Sequence, residues 1–312
     1  MDHVARLSIG VCTHNRPGYL ASCLDGLRHQ TLPPEALDII VVDSASAPDC
    51  ARQVQRLASA VPNARLVRMD RPGLCPARNY AAALARADYI AFLDDDAVPA
   101  PDWAEAALRA VVEAGHPAML GGRIEPVWEK PLPDWWPAHL RGVLSIVEAE
   151  GFGPYGSPDL PERLEPCGAN LIVHVPTLRM LGSFWTMGRS RSTLLSDDEV
   201  QLLRRIQRAG LAAWYDSRIV VRHQIQAGRM TPAWLLSRLY WQGISAVISR
   251  RLLGTPRAVW QELPRRIVVA SLLSPFWLVP RHSGTLIALR WRAAYAAGFI
   301  RAACHWRLAG LL

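Results

Sequence analysis

The chain has 312 residues, half of them hydrophobic, and carries a formal net charge of +8. That is enough apolar material for one large or two modest domains with a real core, and it excludes a disordered or low-complexity chain. Six cysteines (Cys12, Cys23, Cys50, Cys75, Cys167 and Cys304) lie without a C-x-x-C pair, so neither a zinc framework nor a disulfide ladder is indicated and a reducing cytoplasm is the expected compartment.

The elements run in order from a chain start with no charged region leading into an apolar signal core, so secretion is not expected. Leu7 to Val11 reads as a strand, Tyr19 to Arg28 as a helix, Leu37 to Val42 as a strand and Ala51 to Ala60 as a helix. Ala64 to Val67 then gives a short strand, Ala77 to Arg86 a helix and Tyr89 to Leu93 a strand. This alternation predicts an α/β fold, a mostly parallel sheet with helices on both faces. Ligands of such sheets bind beyond the carboxyl ends of the strands, where Thr13-His14-Asn15-Arg16, Asp43-Ser44 and Asp94 to Asp96 all fall.

A helix over Asp102 to Glu113 and a strand over Ala118 to Ile124 follow. The stretch from Pro126 to Pro166 holds Trp128, Trp135 and Trp136 among prolines, and its length suggests a loop or lid with an aromatic wall for an acceptor. Packing of a long loop is the alternative. A strand (Ala169 to Val173), a helix (Asp198 to Ala209), a strand (Ile219 to Arg222) and a basic helical tail complete the chain, and no internal repeat is found.

The acidic run Asp94-Asp95-Asp96 ends a buried apolar strand. On an extended chain residues i and i+2 project to one side, so Asp94 and Asp96 are expected to converge on a hard divalent cation, Mg²⁺ or Mn²⁺, and through it on a phosphate-bearing ligand. The alternative is a solvated acidic turn closed by Pro99.

Charge is unevenly spread. Beyond Met230 there are eleven arginines (Arg238, Arg250, Arg251, Arg257, Arg265, Arg266, Arg281, Arg290, Arg292, Arg301 and Arg307) against the single acid Glu262. Trp234, Trp241, Trp291, Trp306 and the apolar run Ile267 to Val279 are interleaved with them. Basic faces beside Trp-rich apolar faces predict helices on an anionic membrane surface, and the apolar run is shorter than the ~20 residues that span a bilayer. Nucleic acid is the rival partner for an arginine excess, but no nucleic-acid motif accompanies it.

Taken together, Thr13-His14-Asn15-Arg16, Val41-Val42-Asp43-Ser44-Ala45-Ser46, Gly73 with Ala77-Arg78-Asn79, Asp94-Asp95-Asp96, Cys167-Gly168-Ala169-Asn170, Asp197-Asp198-Glu199 and His223 with Arg229 resemble the family 2 glycosyltransferases of the GT-A fold. The resemblance covers roughly residues 5 to 230. It implies an inverting, metal-dependent transfer of a sugar from a nucleotide donor, with a UDP-sugar favoured, to a hydroxyl acceptor in glycan, glycolipid, polysaccharide or natural-product assembly. A catalytic domain over residues 1–230 and a helical region over 231–312, for membrane or acceptor contact, are the implied organisation.

Residue by residue, the resemblance implies nucleotide contacts for Thr13, His14, Asn15, Arg16, Asp43, Arg78, Asp94 and Asp95. Asp43 would bond the base edge and His14 would stack on the base. It implies Mn²⁺ or Mg²⁺ on Asp94, Asp96 and His223. Arg229 would approach the diphosphate, and Gly168, Ala169 and Asn170 would line the sugar or acceptor pocket. Ser44-Ala45 departs from the commoner D-D-G-S or D-N-G-S form, which bears on nucleotide choice.

Asp198 or Glu199 would be the base, Glu199 foremost. Ser196 to Glu199 also reads as a capping box, in which Glu199 would reach back to the Ser196 N–H. Two rivals stand beside this resemblance: a non-catalytic binding protein of the same fold, and a haloacid-dehalogenase-type phosphatase with Asp94 to Val98 as nucleophile loop. The phosphatase would need its motif after the first strand and a downstream lysine, and the only lysine is Lys130.

Overall fold

The computed structural model describes residues 6–185, 193–278 and 284–305. Val279, Arg281, Trp306 and Arg307, singled out above, lie outside the described residues. In chain order the elements are β1 (Leu7–Thr13), α1 (Pro17–Arg28), β2 (Leu37–Ser44), α2 (Pro48–Ser59), β3 (Ala64–Met69), α3 (Leu74–Leu84), β4 (Tyr89–Asp94), β5 (Ala97–Pro99), α4 (Trp103–Glu113) and β6 (Met119–Trp128). They continue with β7 (Phe152–Pro154), β8 (Leu171–His174), α5 (Val175–Met180), α6 (Asp198–Arg208), β9 (Ala213–Ile225), α7 (Pro232–Leu252), α8 (Pro256–Leu273) and α9 (Gly284–Cys304).

Local chemistry accounts for most boundaries. Proline opens α1, α2, α7 and α8, where its fixed φ suits the first helical turn and its missing N–H costs no bond. Thr231 caps α7 by accepting the Trp234 N–H at 3.2 Å. β1 and β2 are buried along their whole length, as central strands covered on both faces must be.

Among the described residues the strands form one nine-stranded sheet in the order β3-β2-β1-β4-β8-β6-β9-β5, with β7 paired to β9. The anticipated parallel ladder is β3-β2-β1-β4, and β8 then joins β4 in the antiparallel sense. Two apolar layers cover the sheet. One is built around Leu20, Leu24, Val54, Trp103 and Ala107, the other around Ala77, Ala81, Phe184, Leu202 and Ile206.

Three short elements escape the alternation pattern. β5 is a three-residue strand that pairs antiparallel with β9, β7 lies inside the Trp- and Pro-rich stretch, and α5 follows β8 directly. A 3₁₀ helix at Ala138–Leu144 adds further order to that stretch.

The chain divides into two compact units. The first comprises the described residues up to Val127 with Ser145–Trp185 and Leu202–Gln224; the second comprises Trp128–Leu144, the described part of 186–201, and the described residues from Ile225 onward. No helix among the described residues is long and apolar enough to cross a membrane.

In the second unit α7 and α9 pack backbone to backbone, because Gly243 and Gly298 sit at their crossing. A Cβ on Gly243 would lie 2.1 Å from the Tyr295 carbonyl oxygen, and one on Gly298 would lie 1.9 Å from that of Tyr240. Beside the crossing, Ala233, Leu236, Tyr240, Ala294 and Ala297 line an apolar cavity of about 360 Å³. Gly243→Ala is expected to destabilise the chain by about 1–3 kcal/mol in urea unfolding, because two backbones must part to admit the methyl group. Gly228→Ala, where a Cβ meets no atom within 4 Å, should change stability by less than about 0.5 kcal/mol.

Candidate active site

Sheet order builds the site. Because β1 lies between β2 and β4, the segments leaving their carboxyl ends are neighbours: Thr13 is in register with Asp43, and Cys12 with Asp94. The loop from Thr13 to Arg16 thus stands beside both the Asp43 turn and the acidic run.

In the acidic run the extended geometry stops at Asp94; Asp95 and Asp96 form a two-residue turn before β5. The expectation that Asp94 and Asp96 project to one side as i and i+2 of a strand is therefore corrected. Asp94, the one acid of the three whose side chain keeps some exposure (24%), receives the Arg78 guanidinium at 3.2 Å. Asp95 and Asp96 are shut away from solvent.

Arg16 forks onto both buried acids. Its Nη1 donates to Asp96 at 2.8 Å, its Nε donates to Asp95 at 3.2 Å and its Nη2 pairs with the other Asp95 oxygen. Thr13 donates its hydroxyl to Asp95 at 2.7 Å, and His223 Nε2 lies 3.2 Å from Asp96 Oδ1. His223 reaches Asp96 because β5 and β9 place Ala97 opposite it in register.

Burial pushes the Asp95 carboxyl up to about 7, against the pull of Arg16 and the Thr13 hydrogen bond; the neighbouring charges of Asp96 and Asp94 add to the rise. The same seclusion pushes the Cys12 thiol up to about 12, so it is inert as a nucleophile.

Around Asp43 the chain makes a second polar turn. Asp43 accepts the Ser46 N–H at 2.9 Å and faces Arg68 at 3.3 Å, and Arg68 also donates to the Ser46 carbonyl at 2.7 Å. Ala45 and Asn15 both take left-handed backbone conformations, with φ of 60° and 56°. Asn15 ties the two loops together by donating its N–H to Ser46 Oγ at 2.8 Å and accepting the Ala47 N–H at 2.7 Å. His14 Nδ1 lies 2.7 Å from the Ser44 carbonyl and its Nε2 lies 3.1 Å from the Asn15 amide nitrogen, which assigns the ring proton to Nδ1. Ser44 Oγ accepts the Gly73 N–H at 2.9 Å, joining this turn to the start of α3, from which Arg78 extends.

Other candidates fall elsewhere. Asn170 is fully buried; its amide donates to the carbonyls of Arg123 and Ile219 at 2.9 and 2.8 Å and accepts from the Trp103 indole at 3.0 Å. Ala169 is a core residue, and Gly168 is buried. Asn170 thus ties β6 and β9 to the start of α4.

Asp198 and Glu199 open α6 and belong to the second unit, as does the buried Arg229. The Ser196 N–H donates to Ser245 Oγ at 3.0 Å. Asp197 takes φ 76° and receives the Ser196 hydroxyl at 3.2 Å. In the same unit Trp136 stacks between Trp135 and Trp234, with ring centroids 5.4 and 6.5 Å away.

Sequence reasoning missed Ser44, Ser46 and Arg68 as supports of the Asp43 turn. The signal was the parallel register that sets Asp43 opposite Arg68, which only the pairing of β2 with β3 reveals.

Among the described residues no three His, Cys, Asp or Glu side chains form a cluster that could hold a metal ion by themselves. Mg²⁺ and Mn²⁺ need no such cage when one or two carboxylates and a ligand's phosphates complete the shell. The partly exposed Asp94 is the carboxylate of this run open to such a shell, whereas Asp96 is buried with its oxygens engaged by Arg16 and His223.

Residues 8–147 match the model of glycosyl transferase family 2. A glucosyl-dolichyl phosphate glucuronosyltransferase of Haloferax volcanii is 23% identical over 77% of this chain and 76% of its own length. The succinoglycan biosynthesis protein ExoM of Rhizobium meliloti is 31% identical over 45% of this chain and 50% of its own length.

Among solved structures, S. aureus TarS 1-349 in complex with UDP superposes with a TM-score of 0.54 at 15% identity, covering 97% of this chain and 92% of that one. The mannosyltransferase PcManGT from Pyrobaculum calidifontis, in complex with GDP-Man and Mn²⁺, gives 0.56 at 19% identity over 98% and 89%. Over residues 8–147 the chain is similar to the family 2 glycosyltransferases, and its fold is that of the GT-A glycosyltransferase structures. An acidic motif on the fourth strand of a 3-2-1-4 sheet also sets aside the phosphatase alternative, which needs it after the first.

Arg16→Ala is expected to destabilise the protein by about 2–4 kcal/mol in urea unfolding, since two buried carboxylates lose their shared cation; Arg16→Lys should recover only part, because one ammonium cannot fork. The sign of the Asp95 effect follows from its raised value. The folded state holds a proton that the unfolded state, with its ordinary value of 3.8, releases. This contribution is complete below about pH 4 and is lost as pH rises through about 7. Urea midpoints between pH 5 and pH 8 should fall more steeply in the wild type than in Asp95→Asn.

Proposed function

We propose that this chain transfers a sugar with inversion from a nucleoside-diphosphate donor, a UDP-sugar foremost, to the hydroxyl of a lipid-linked or polymeric glycan acceptor at a membrane surface. One observation carries the proposal. The Asp94–Asp96 turn, held by Arg16 and Arg78, lies at the carboxyl end of β4 and the Asp43 turn at that of β2, on either side of β1.

Asp43 and His14 take the base, with the Thr13–Arg16 loop holding both turns in place. Asp94, Asp96 and His223 would hold Mn²⁺ or Mg²⁺ at the donor diphosphate. The bound ion supplies Lewis-acid stabilisation of the departing diphosphate. Arg78 and Arg229 add positive charge toward that leaving group.

Asp198 or Glu199 takes the acceptor's hydroxyl proton as its oxygen bonds to the anomeric carbon and the bond to the diphosphate oxygen breaks. A single displacement inverts the centre. Support for a lipid-linked acceptor comes from the name of the archaeal relative, a transferase acting on a glucosyl-dolichyl phosphate, and from the basic, Trp-rich second unit.

The test is turnover of UDP-, GDP- and dTDP-sugars with Mn²⁺ and a polyprenyl-phosphate glycan acceptor, with the product's anomeric configuration read by NMR. Inverted product is expected, together with a loss of about 10²- to 10⁴-fold for Glu199→Gln or Asp198→Asn. Full turnover in both variants would remove the base assignment, and retained configuration would remove the single displacement.

A further inference from the structure

Helix α8 turns an apolar face to solvent. Among the described residues, four of the eight large hydrophobic side chains that stand exposed are on this one helix: Trp260 at 57%, Ile267 at 46%, Val268 at 55% and Leu272 at 68%. With exposed Pro264 they fall at i, i+4, i+7, i+8 and i+12, one stripe along a helix. The opposite face is satisfied within the second unit, where Val259 and Leu263 are buried in its core.

Charge on α8 is divided in the same way. Glu262, its one acid, is taken up by Arg250 at 2.6 Å and by Arg266 one turn on, and Arg266 lies 4.5 Å over the Tyr295 ring. The charged residues left exposed on the helix are Arg257 and Arg265. The outward surface is therefore an apolar stripe with a tryptophan, flanked by cations and free of anions. Such a pattern complements an anionic bilayer, whose acyl boundary accepts the stripe while its phosphates pair with the arginines.

Depth is limited by the backbone. Pro264 has no N–H to give the Trp260 carbonyl one turn back, so that oxygen needs water or headgroup donors and cannot sit deep in hydrocarbon.

We infer that the Trp260–Leu272 face of α8 docks on an anionic phospholipid bilayer, lying in the plane of the interface with Arg257 and Arg265 at the headgroups. The inference rests on the membrane-surface part of the proposed function and is independent of the donor chemistry.

The experiment uses the full chain in flotation with vesicles of phosphatidylcholine containing about 30 mol % phosphatidylglycerol, and with pure phosphatidylcholine. Wild type should float with the anionic vesicles and far less with the neutral ones. The triple variant Trp260→Ser, Ile267→Glu, Leu272→Glu should lose partitioning by more than about tenfold. Arg257→Glu with Arg265→Glu should lose at least about fivefold per arginine, an effect that salt erases.

Because every substituted residue is exposed, circular dichroism melts should match wild type. UDP affinity, measured on the same preparations, reports separately on the donor site. Equal flotation of wild type on both vesicles, no flotation, or unchanged flotation of the triple variant would each overturn the inference. So would sedimentation velocity giving a wild-type dimer that the triple variant converts to monomer, because the face would then pair with a second copy.

Discussion

Two carboxylates adjacent in sequence and sealed from water repel one another and have lost their hydration, so each is costly to keep ionised. Arg16 resolves this at Asp95 and Asp96 with one planar group that reaches both. Its position is set from the other side of the strand gap. Arg16 leaves β1, Pro17 starts α1 immediately after it, and β1 lies against β4 in parallel register. If β1 were not the neighbour of β4, the acidic turn would have no cation and could not be buried.

The remaining polar architecture follows from that fork. With Asp95 and Asp96 neutralised from below, Asp94 is left as the acid with solvent access, checked by Arg78 from α3. Asn15, between His14 and Arg16, bonds across to Ser46 and Ala47 and so fixes the Asp43 turn relative to the acidic turn. A donor whose base sits near Asp43 and whose diphosphate reaches Asp94 would meet polar groups already held by Asn15, Arg16 and Arg78, and preorganised electrostatics of this kind stabilise a leaving group.

Much of this is legible in the sequence alone. Alternating apolar runs and helix-period segments place β1 to β4 and their helices within a few residues, since β1, β2 and β4 are apolar runs buried almost along their whole length. The site segments were visible as polar residues at strand ends. What could not be read was pairing across sequence distance: Arg68 opposite Asp43, Arg16 onto Asp95, and His223 onto Asp96 through β5 and β9. The three-residue β5 has no periodicity of its own and exists because β9 offers it an edge. Nor does the sequence say that Asn170 satisfies two carbonyls and an indole inside the core. The apolar stripe of α8 was visible only as a blurred run of arginines and tryptophans, since a sequence does not say which face of a helix its neighbours cover.

The proposed diphosphate–metal site at the Asp94–Asp96 turn is open to test through nucleotide binding. Calorimetric titration of UDP, with GDP in parallel, into wild type and Asp94→Asn, each with and without Mn²⁺, tests it most directly. The expected result is nucleotide binding by wild type that tightens at least about tenfold with Mn²⁺, an enhancement lost in Asp94→Asn while the fold is retained. Binding that is indifferent to Mn²⁺ in wild type, or equally enhanced in the variant, would contradict it.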